Sequence, residues 1–377
     1  MEKKNLELVR KLRRELHQHP ELSNREVWTK HHLMTFLQTH THLELVDRGA
    51  WFYAVYRAGE GKRNIAFRAD FDALPIDETI SLPHGSKIPG VSHKCGHDGH
   101  AASLCELALE VDQKGADHNI YFLFQHAEET GDGALECVPF LKENGIEEIF
   151  AFHNMSGLPL RSVNVIDGTA HYASKGMTIY MEGTPAHASQ PEDGINPAFA
   201  IAELVQAIPH LTAPDTYEGK VLCTVIQVAV GERSFGVSAS KGELLLTIRA
   251  QYEAELEQLQ GALEQKALQL GHAHVLKVRF SYADEFSETV NHPESTAKIR
   301  AVCQRKGIPC LELAEPYRAS EDFGHFLKET KGAIFYIGNG EDYPHIHTAA
   351  YDFNDEIIET AVEVFKGLAG CTKSGED

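Results

Sequence analysis

The sequence predicts an open α/β sheet with helices on both faces, interrupted by an inserted ferredoxin-like α+β unit. Between residues 43 and 153, apolar runs of strand length alternate with longer runs of helical spacing, the pattern of a sheet covered on both sides. After residue 172 the order becomes strand, helix, strand, strand, helix, strand, which is the ferredoxin-like arrangement. From about residue 285 the first pattern resumes. A chain of 377 residues also exceeds what one hydrophobic core usually holds. Two domains are therefore expected: a discontinuous one over 1–172 and 285–377, and an insert over 173–284.

Taken in order, Leu6, Val9, Leu12 and Leu16 fall at helical spacing, and a second helical run covers 25–39. "LELV" (43–46), "WFYAVYRA" (51–58) and "NIAFRAD" (64–70) read as strands. A helix is expected from near Asp98 through "AASLCELALEV". "NIYFLFQ" (119–125) is almost continuously apolar, as in a strand buried on both faces. A helix over 134–144 and the strand "IEEIFAFH" (146–153) follow. In the insert, "KGMTIYMEG", "KVLCTVIQVAV", "GELLLTIRA" and "HVLKVRFSY" read as strands, with helices at "NPAFAIAELVQAI" and "EAELEQLQGALEQKALQL". "AIFYIGNG" returns to the main sheet, "NDEIIETAVEVFKGLAG" is a closing helix, and "TKSGED" is expected to fray.

Composition excludes some partners. Asp plus Glu number 55 against 35 Lys plus Arg, a formal charge of −20. Such a chain repels phosphate backbones and anionic lipid, so neither nucleic acid nor membrane is an expected partner. No apolar run approaches the length of a membrane span. The N-terminal "MEKKNLELVRKLRRELHQHP" has no apolar core of the kind a secretion signal carries. Seven widely spaced cysteines fit reduced thiols and a cytoplasmic location better than a disulfide framework. With 22 histidines, chance pairs are common, so spacing and neighbours must decide. His17, His19, His31, His32, His40 and His42 read as surface residues of the N-terminal helices and the turn after them.

In open α/β sheets the site lies at the carboxyl ends of the strands. Those ends carry Asp70 and Asp72, Glu128 and Glu129, His153, and the segment holding His345 and His347. Cys95-Gly96-His97 precedes a helix in the same part of the fold. Each has a plain structural reading: a Cys-x-His pair in the fold, a solvated acidic corner, a hydrogen-bonded core histidine. Together they bring thiol, imidazole and carboxylate to one edge, a mixture suited to a transition metal more than to Mg²⁺ or Ca²⁺.

In succession, "RADFDALPIDE", "HKCGHDGHAAS", "FLFQHAEETGDGA", "GTPAHASQPEDGINPA", "SEDFG" and "HTAAYDFND" resemble the motifs of the aminoacylase/carboxypeptidase-G family of di-metal amidohydrolases. The nearest likeness is to its branch of hippurate hydrolases, N-acyl-amino-acid amidohydrolases and auxin-conjugate hydrolases. The likeness covers nearly the whole chain. It implies an α/β domain binding two divalent ions (Zn, Mn, Co or Ni) and an inserted lid through which the chain homodimerises. It also implies hydrolysis of the amide of small N-acyl amino acids, above all N-acetyl ones, by a metal-activated water. Carried over by position, the metal ligands are Cys95, His97, Glu129, His153 and His347, with Cys95 bridging. Glu128 is the general base and acid. Asp72 orients a ligand histidine, and Asp70 stands where other branches have a ligand histidine. His187 donates to the oxyanion, from its own chain or the dimer partner, and Arg249 holds the substrate carboxylate.

The chain departs from the family in two places. Where members read Asn-Val-Ile-Pro it has Gly236-Val237-Ser238-Ala239, so the asparagine that helps hold substrate is absent. The usual Gln-Pro-Ala-Glu-Glu is Gln125-His126-Ala127-Glu128-Glu129. An altered substrate pocket with the same reaction is expected. Rival readings are a dipeptidase or carboxypeptidase with the same machinery, an amidase using Cys95 as nucleophile with His97 or His100, and a non-catalytic metal-binding or interaction protein.

Overall fold

The computed structural model describes residues 3–371, so the "TKSGED" segment lies outside the described residues. From the N terminus the chain forms α1 (Lys3–Gln18), α2 (Val27–His40), β1 (Glu44–Asp47), β2 (Phe52–Tyr56), β3 (Asn64–Asp70), α3 (His97–Lys114), β4 (Asn119–Gln125), α4 (Gly133–Cys137), α5 (Pro139–Glu143), β5 (Glu148–Ser156), β6 (Val163–Val165) and β7 (Gly168–His171). Then come β8 (Ala173–Glu182), β9 (Ala186–His187), α6 (Ala198–Leu211), β10 (Val221–Val230), β11 (Val237–Ser238), β12 (Lys241–Ala250), α7 (Glu253–Ala273) and β13 (Lys277–Phe286). The chain closes with β14 (Thr289–Asn291), α8 (Pro293–Lys306), β15 (Cys310–Glu312), α9 (Gly324–Leu327), β16 (Lys331–Gly340) and α10 (Ile358–Ala369). Among the described residues no helix is long and apolar enough to cross a membrane.

These elements form two compact units. The first holds the residues up to Ala170, Thr289–Glu315 and those from Glu321 on; the second holds His171–Glu288 with Pro316–Ser320. No periodicity marks 316–320, and the insert expected from sequence, 173–284, does not include that segment.

The first unit is an eight-stranded sheet in the order β1-β2-β4-β3-β5-β16-β6-β15. β4, β3, β5 and β16 run parallel, which sets their carboxyl ends on one edge. Six of the seven residues of β3 are buried, and the same holds for β4, as a strand covered on both faces requires. Strand alternation sends Phe67 toward Phe365 of α10, their rings 4.8 Å apart. Arg68 and Asp70 take the other face, where register pairs them with Leu123 and Gln125. α3 packs against α1, α10 and β3. Truncating a ring such as Phe67 costs about 3–5 kcal/mol.

The second unit is a four-stranded antiparallel sheet, β10-β12-β8-β13, with α6 and α7 packed on it. That is the strand order of a ferredoxin-like unit. Met177, Ile179 and Met181 of β8 point into the core with Leu204, Leu246 and Leu259, while Thr178 and Tyr180 alternate outward. A small ribbon, β9 with β11, was not anticipated because each strand is only two residues long.

Candidate functional site

The Cys95–His97 segment is shaped by its glycine. Gly96 has φ 105°, the left-handed region, and a Cβ there would collide with the Asn154 side chain and the Tyr351 hydroxyl. The turn delivers Cys95 and His97 to the start of α3, which begins at His97, one residue earlier than expected. Asn154 holds the turn by donating to the Cys95 carbonyl at 3.1 Å. His153 lies inside β5, which runs on to Ser156, so it is not the strand-terminal residue that the sequence suggested. Ala127, just before the two glutamates, has φ 49°, and His347 has φ 61°. Both are left-handed without being glycine, a strain of about 1–3 kcal/mol each that must be held from outside. Glu26 holds the first by accepting the Ala127 N–H at 2.8 Å. The Lys94 carbonyl holds the second by accepting the His347 N–H at 2.7 Å.

The side chains then converge. The donor atoms of Cys95, His97 and His153 lie within 4.8 Å of one another, and so do those of Cys95, Glu129 and His347. Cys95 belongs to both groups. Its Sγ is 3.4 Å from His153 Nε2 and 3.2 Å from His347 Nε2. Glu129 Oε1 is 3.5 Å from His347 Nε2 and 3.8 Å from His97 Nε2. A third group joins His97, Glu128 and Glu129.

Neighbours aim the rings. His97 Nδ1 donates to Asp72 Oδ1 at 3.0 Å, and His153 Nδ1 donates to the Asn154 carbonyl at 2.7 Å. In both rings Nε2 is left facing the donor cluster. The other oxygen of Asp72 accepts from the Glu129 N–H at 3.0 Å and from Ser23 Oγ at 2.7 Å. One carboxylate thus orients two of the donors.

The donor set fits metal ions. Among the described residues, His97 Nε2 and Glu129 Oε1 are buried and make no hydrogen bond, which is costly unless something else satisfies them. Ligand atoms around a tetrahedral ion with bonds of about 2.0–2.3 Å lie about 3.3–3.7 Å apart, close to the separations seen here.

The electrostatics also favour a cation. Burial, then the Glu321 and Glu129 carboxylates, push Glu128 well above the usual carboxylate range. Burial foremost raises Glu129 to about 7. For His97, burial favours the neutral ring, but Asp70 and Asp72 prevail and raise it to about 10. The Cys95 thiol is held well above its ordinary value by burial and by Glu129 and Glu128. A thiol so placed is a poor nucleophile, which counts against the cysteine-amidase reading.

The match with known proteins decides the family. The model of peptidase family M20/M25/M40 matches residues 66–370. The chain belongs to this family. It is 29% identical to the N-acetyldiaminopimelate deacetylase of Shouchella clausii, over 93% of this chain and 95% of that one. It is 27% identical to the N-acetylcysteine deacetylase of Bacillus subtilis, over 95% of each. Its structure superposes on Bacillus subtilis YxeP, a dinuclear metal-binding M20 peptidase, with a TM-score of 0.83 at 25% identity, covering 98% of each chain. This M20-family member is a hydrolytic enzyme, and its reaction is metal-dependent amide hydrolysis.

Two of the residues singled out in sequence belong to the enzyme's second unit. His187 is exposed on β9, its Nδ1 2.7 Å from Ser189 Oγ. Its register partner is Val237, so the 236–238 segment directly braces it. Arg249 is half-buried near the end of β12, donating from Nη1 to the Arg318 carbonyl at 3.0 Å and to Ser320 Oγ at 2.7 Å. Burial lowers its pKa, and among the described residues it makes no ion pair.

Other residues were missed or misread. His17 is not a surface residue: it is fully buried, bonded to Asp98 at 2.8 Å and to Glu78 at 2.9 Å. The signal was present, because positions 13 and 17 continue the stripe of Val9 and Leu16 at helical spacing. His100 was considered only as a partner for a cysteine nucleophile. It joins Asp70 at 2.6 Å to Asn154 at 2.7 Å. Arg68, a charge inside an otherwise apolar strand, was passed over.

Proposed function

We propose that this enzyme deacylates N-acyl amino acids, N-acetyl ones above all, using two divalent cations held by Cys95, His97, Glu129, His153 and His347. The observation that carries this reading is the membership of Cys95 in two donor groups at once, with Glu128 beside both. The mixed sulfur, nitrogen and oxygen donors suit Zn, Mn, Co or Ni. When bound, the cations supply Lewis acidity, polarising the amide carbonyl and lowering the pKa of water.

The protein supplies the rest. Glu128 takes the proton of the attacking water and passes it to the amide nitrogen as the C–N bond breaks, giving a carboxylic acid and a free amine. Burial and the neighbouring carboxylates raise its pKa, the direction that suits a group which must hold a proton before returning it. Asp72 keeps His97 and Glu129 in place. His187 donates to the oxyanion, and Arg249 binds the free carboxylate of the substrate. The named substrates of both deacetylase relatives are N-acetylated amino acids, which supports the assignment.

The second unit also favours a homodimer. β10 is an edge strand that exposes Ile226 and Val228 at 58% and 50%, a surface that a second copy would cover. The test is turnover of a panel of N-acyl amino acids by protein reloaded with each metal after chelation. Cleavage of N-acetyl amino acids only after metal return is expected. Full activity in exhaustively chelated protein, or cleavage of unblocked dipeptides alone, would overturn the reading.

A further inference from the structure

Arg68 lies 2% exposed in the middle of β3. Burying a guanidinium costs several kcal/mol unless its hydrogens are well used, and apolar side chains fill most neighbouring positions of the strand. Here the whole fork is engaged. Nε donates to Gln125 Oε1 at 2.8 Å, Nη1 to Asp70 Oδ2 at 2.6 Å, and Nη2 to Asp322 Oδ1 at 2.7 Å. Glu321 lies 3.2 Å from Nη2.

The arm through Asp322 leads to the proton carrier. Its second oxygen accepts from Gln125 Nε2 at 2.6 Å and from the Ala134 N–H at 2.9 Å. Asp322 is thus pinned at both oxygens, which fixes where its own N–H points. That N–H is directed at Glu128 Oε1, 3.4 Å away. The other oxygen, Oε2, is left on the donor-cluster side, 3.9 Å from His97 Nε2. Gln125 ties the arrangement together by accepting from Arg68 and donating to Asp322.

We infer that Arg68 is a positioning residue for the hydrolytic step: gripping Asp322, it sets the Asp322 N–H that orients the Glu128 carboxylate. This rests on the reading of Glu128 as the proton carrier. Arg68 touches no reacting atom. Its contribution lies in a fixed geometry, and a lysine, with the charge but not the planar fork, cannot reproduce it.

The test is a double-mutant cycle on metal-loaded protein, with bound metal measured by elemental analysis. Arg68→Lys is expected to keep its metal and its KM within about threefold while kcat falls about 10–100-fold, the range for a misplaced reacting group. In the Glu128→Gln background the same change should cause no further loss, because the group it positions is gone. Wild-type kcat in Arg68→Lys would overturn the inference. So would loss of metal in step with activity, or a full additional loss on top of Glu128→Gln. If Arg68→Lys does not fold, Asp322→Asn, which keeps the backbone N–H and weakens the grip of Arg68, is read by the same criteria. The underlying reading fails separately: near wild-type turnover in Glu128→Gln would remove Glu128 as proton carrier whatever Arg68 does.

Discussion

Cys95 and His187 stand in opposite circumstances. Cys95 is 6% exposed, set by a glycine turn and held by Asn154, with histidine nitrogens closing on its sulfur. His187 is exposed on a two-residue strand, held by one serine hydroxyl and one short ribbon. In the first unit, His97, Glu129 and His153 are each aimed by a second residue, and Cys95, His97 and His153 are buried, while His347 is exposed. In the second unit, the proposed roles of His187 and Arg249 rest on side chains that are exposed and half-buried. Gly236, where the family motif leads one to expect asparagine, precedes Val237, the register partner of His187.

If that contrast is right, the largest effect on turnover belongs to the buried unit. Glu128→Gln removes the proposed proton carrier and leaves the five candidate donors untouched. Turnover should fall about 10²–10⁴-fold with both ions retained. Assay and elemental analysis together check this, and a variant that loses metal as well would place Glu128 among the ligands.

His187→Ala comes next. Loss of one oxyanion donor costs about 10²–10³ in kcat, and neither metal content nor melting temperature should move, because the residue packs against little. Mixing His187→Ala with Glu128→Gln separates two arrangements. Restored activity means that the histidine serves a second copy's site, since each mixed dimer then holds one site free of both lesions. Absence of rescue, with subunit exchange verified, means that it serves its own. A His187→Ala enzyme with near wild-type kcat would break the contrast, by making the first unit sufficient alone.

Arg249→Ala should act on binding. Its side chain is already held by Ser320 and the Arg318 carbonyl, so it is aimed before any ligand arrives. A charged hydrogen bond is worth about 1.5–3 kcal/mol, roughly 10–150-fold in KM. That loss should appear for N-acyl amino acids with a free carboxylate and largely vanish for their amides. Equal loss on both substrate types would mean that Arg249 only braces the 316–320 segment.

How much of this was legible in the sequence depends on the kind of signal. The sheet was legible because "NIAFRAD" and "NIYFLFQ" are apolar enough for strands buried on both faces, and parallel strands put Asp70, Glu128 and Glu129 near one edge. The fixing of that edge was not. Nothing in composition says that Asp72 spans His97 and Glu129, or that Glu26 holds a left-handed Ala127, since these are contacts between residues far apart in the chain. The β9–β11 ribbon was too short for any periodicity. His17 failed for a different reason. The spacing that puts Arg13 and His17 on the buried stripe of Val9, Leu12 and Leu16 outweighs the polar character of the helix around them.

His17 also gives the effect smallest in turnover and most specific in pH. It lies on α1 between Asp98 and Glu78, behind the Cys95–His97 turn. Burial alone would keep the ring neutral, but hydrogen bonds to Asp98 and Glu78 outweigh it and raise its pKa from 6.5 to about 9. A group whose folded pKa is raised stabilises fully below its unfolded value and loses that contribution as pH rises through the folded one. The window is therefore about pH 6.5 to 9, and a shift of this size corresponds to about 3 kcal/mol across it. Wild-type protein should lose melting temperature over that range. His17→Gln, which can hydrogen-bond but not titrate, should start lower and stay nearly flat, with kcat at pH 7 changed no more than about threefold once metal is restored. Melting curves at half-unit pH steps distinguish the two. A wild-type slope surviving in His17→Gln would assign the pH dependence to another group and leave the buried histidine as packing alone.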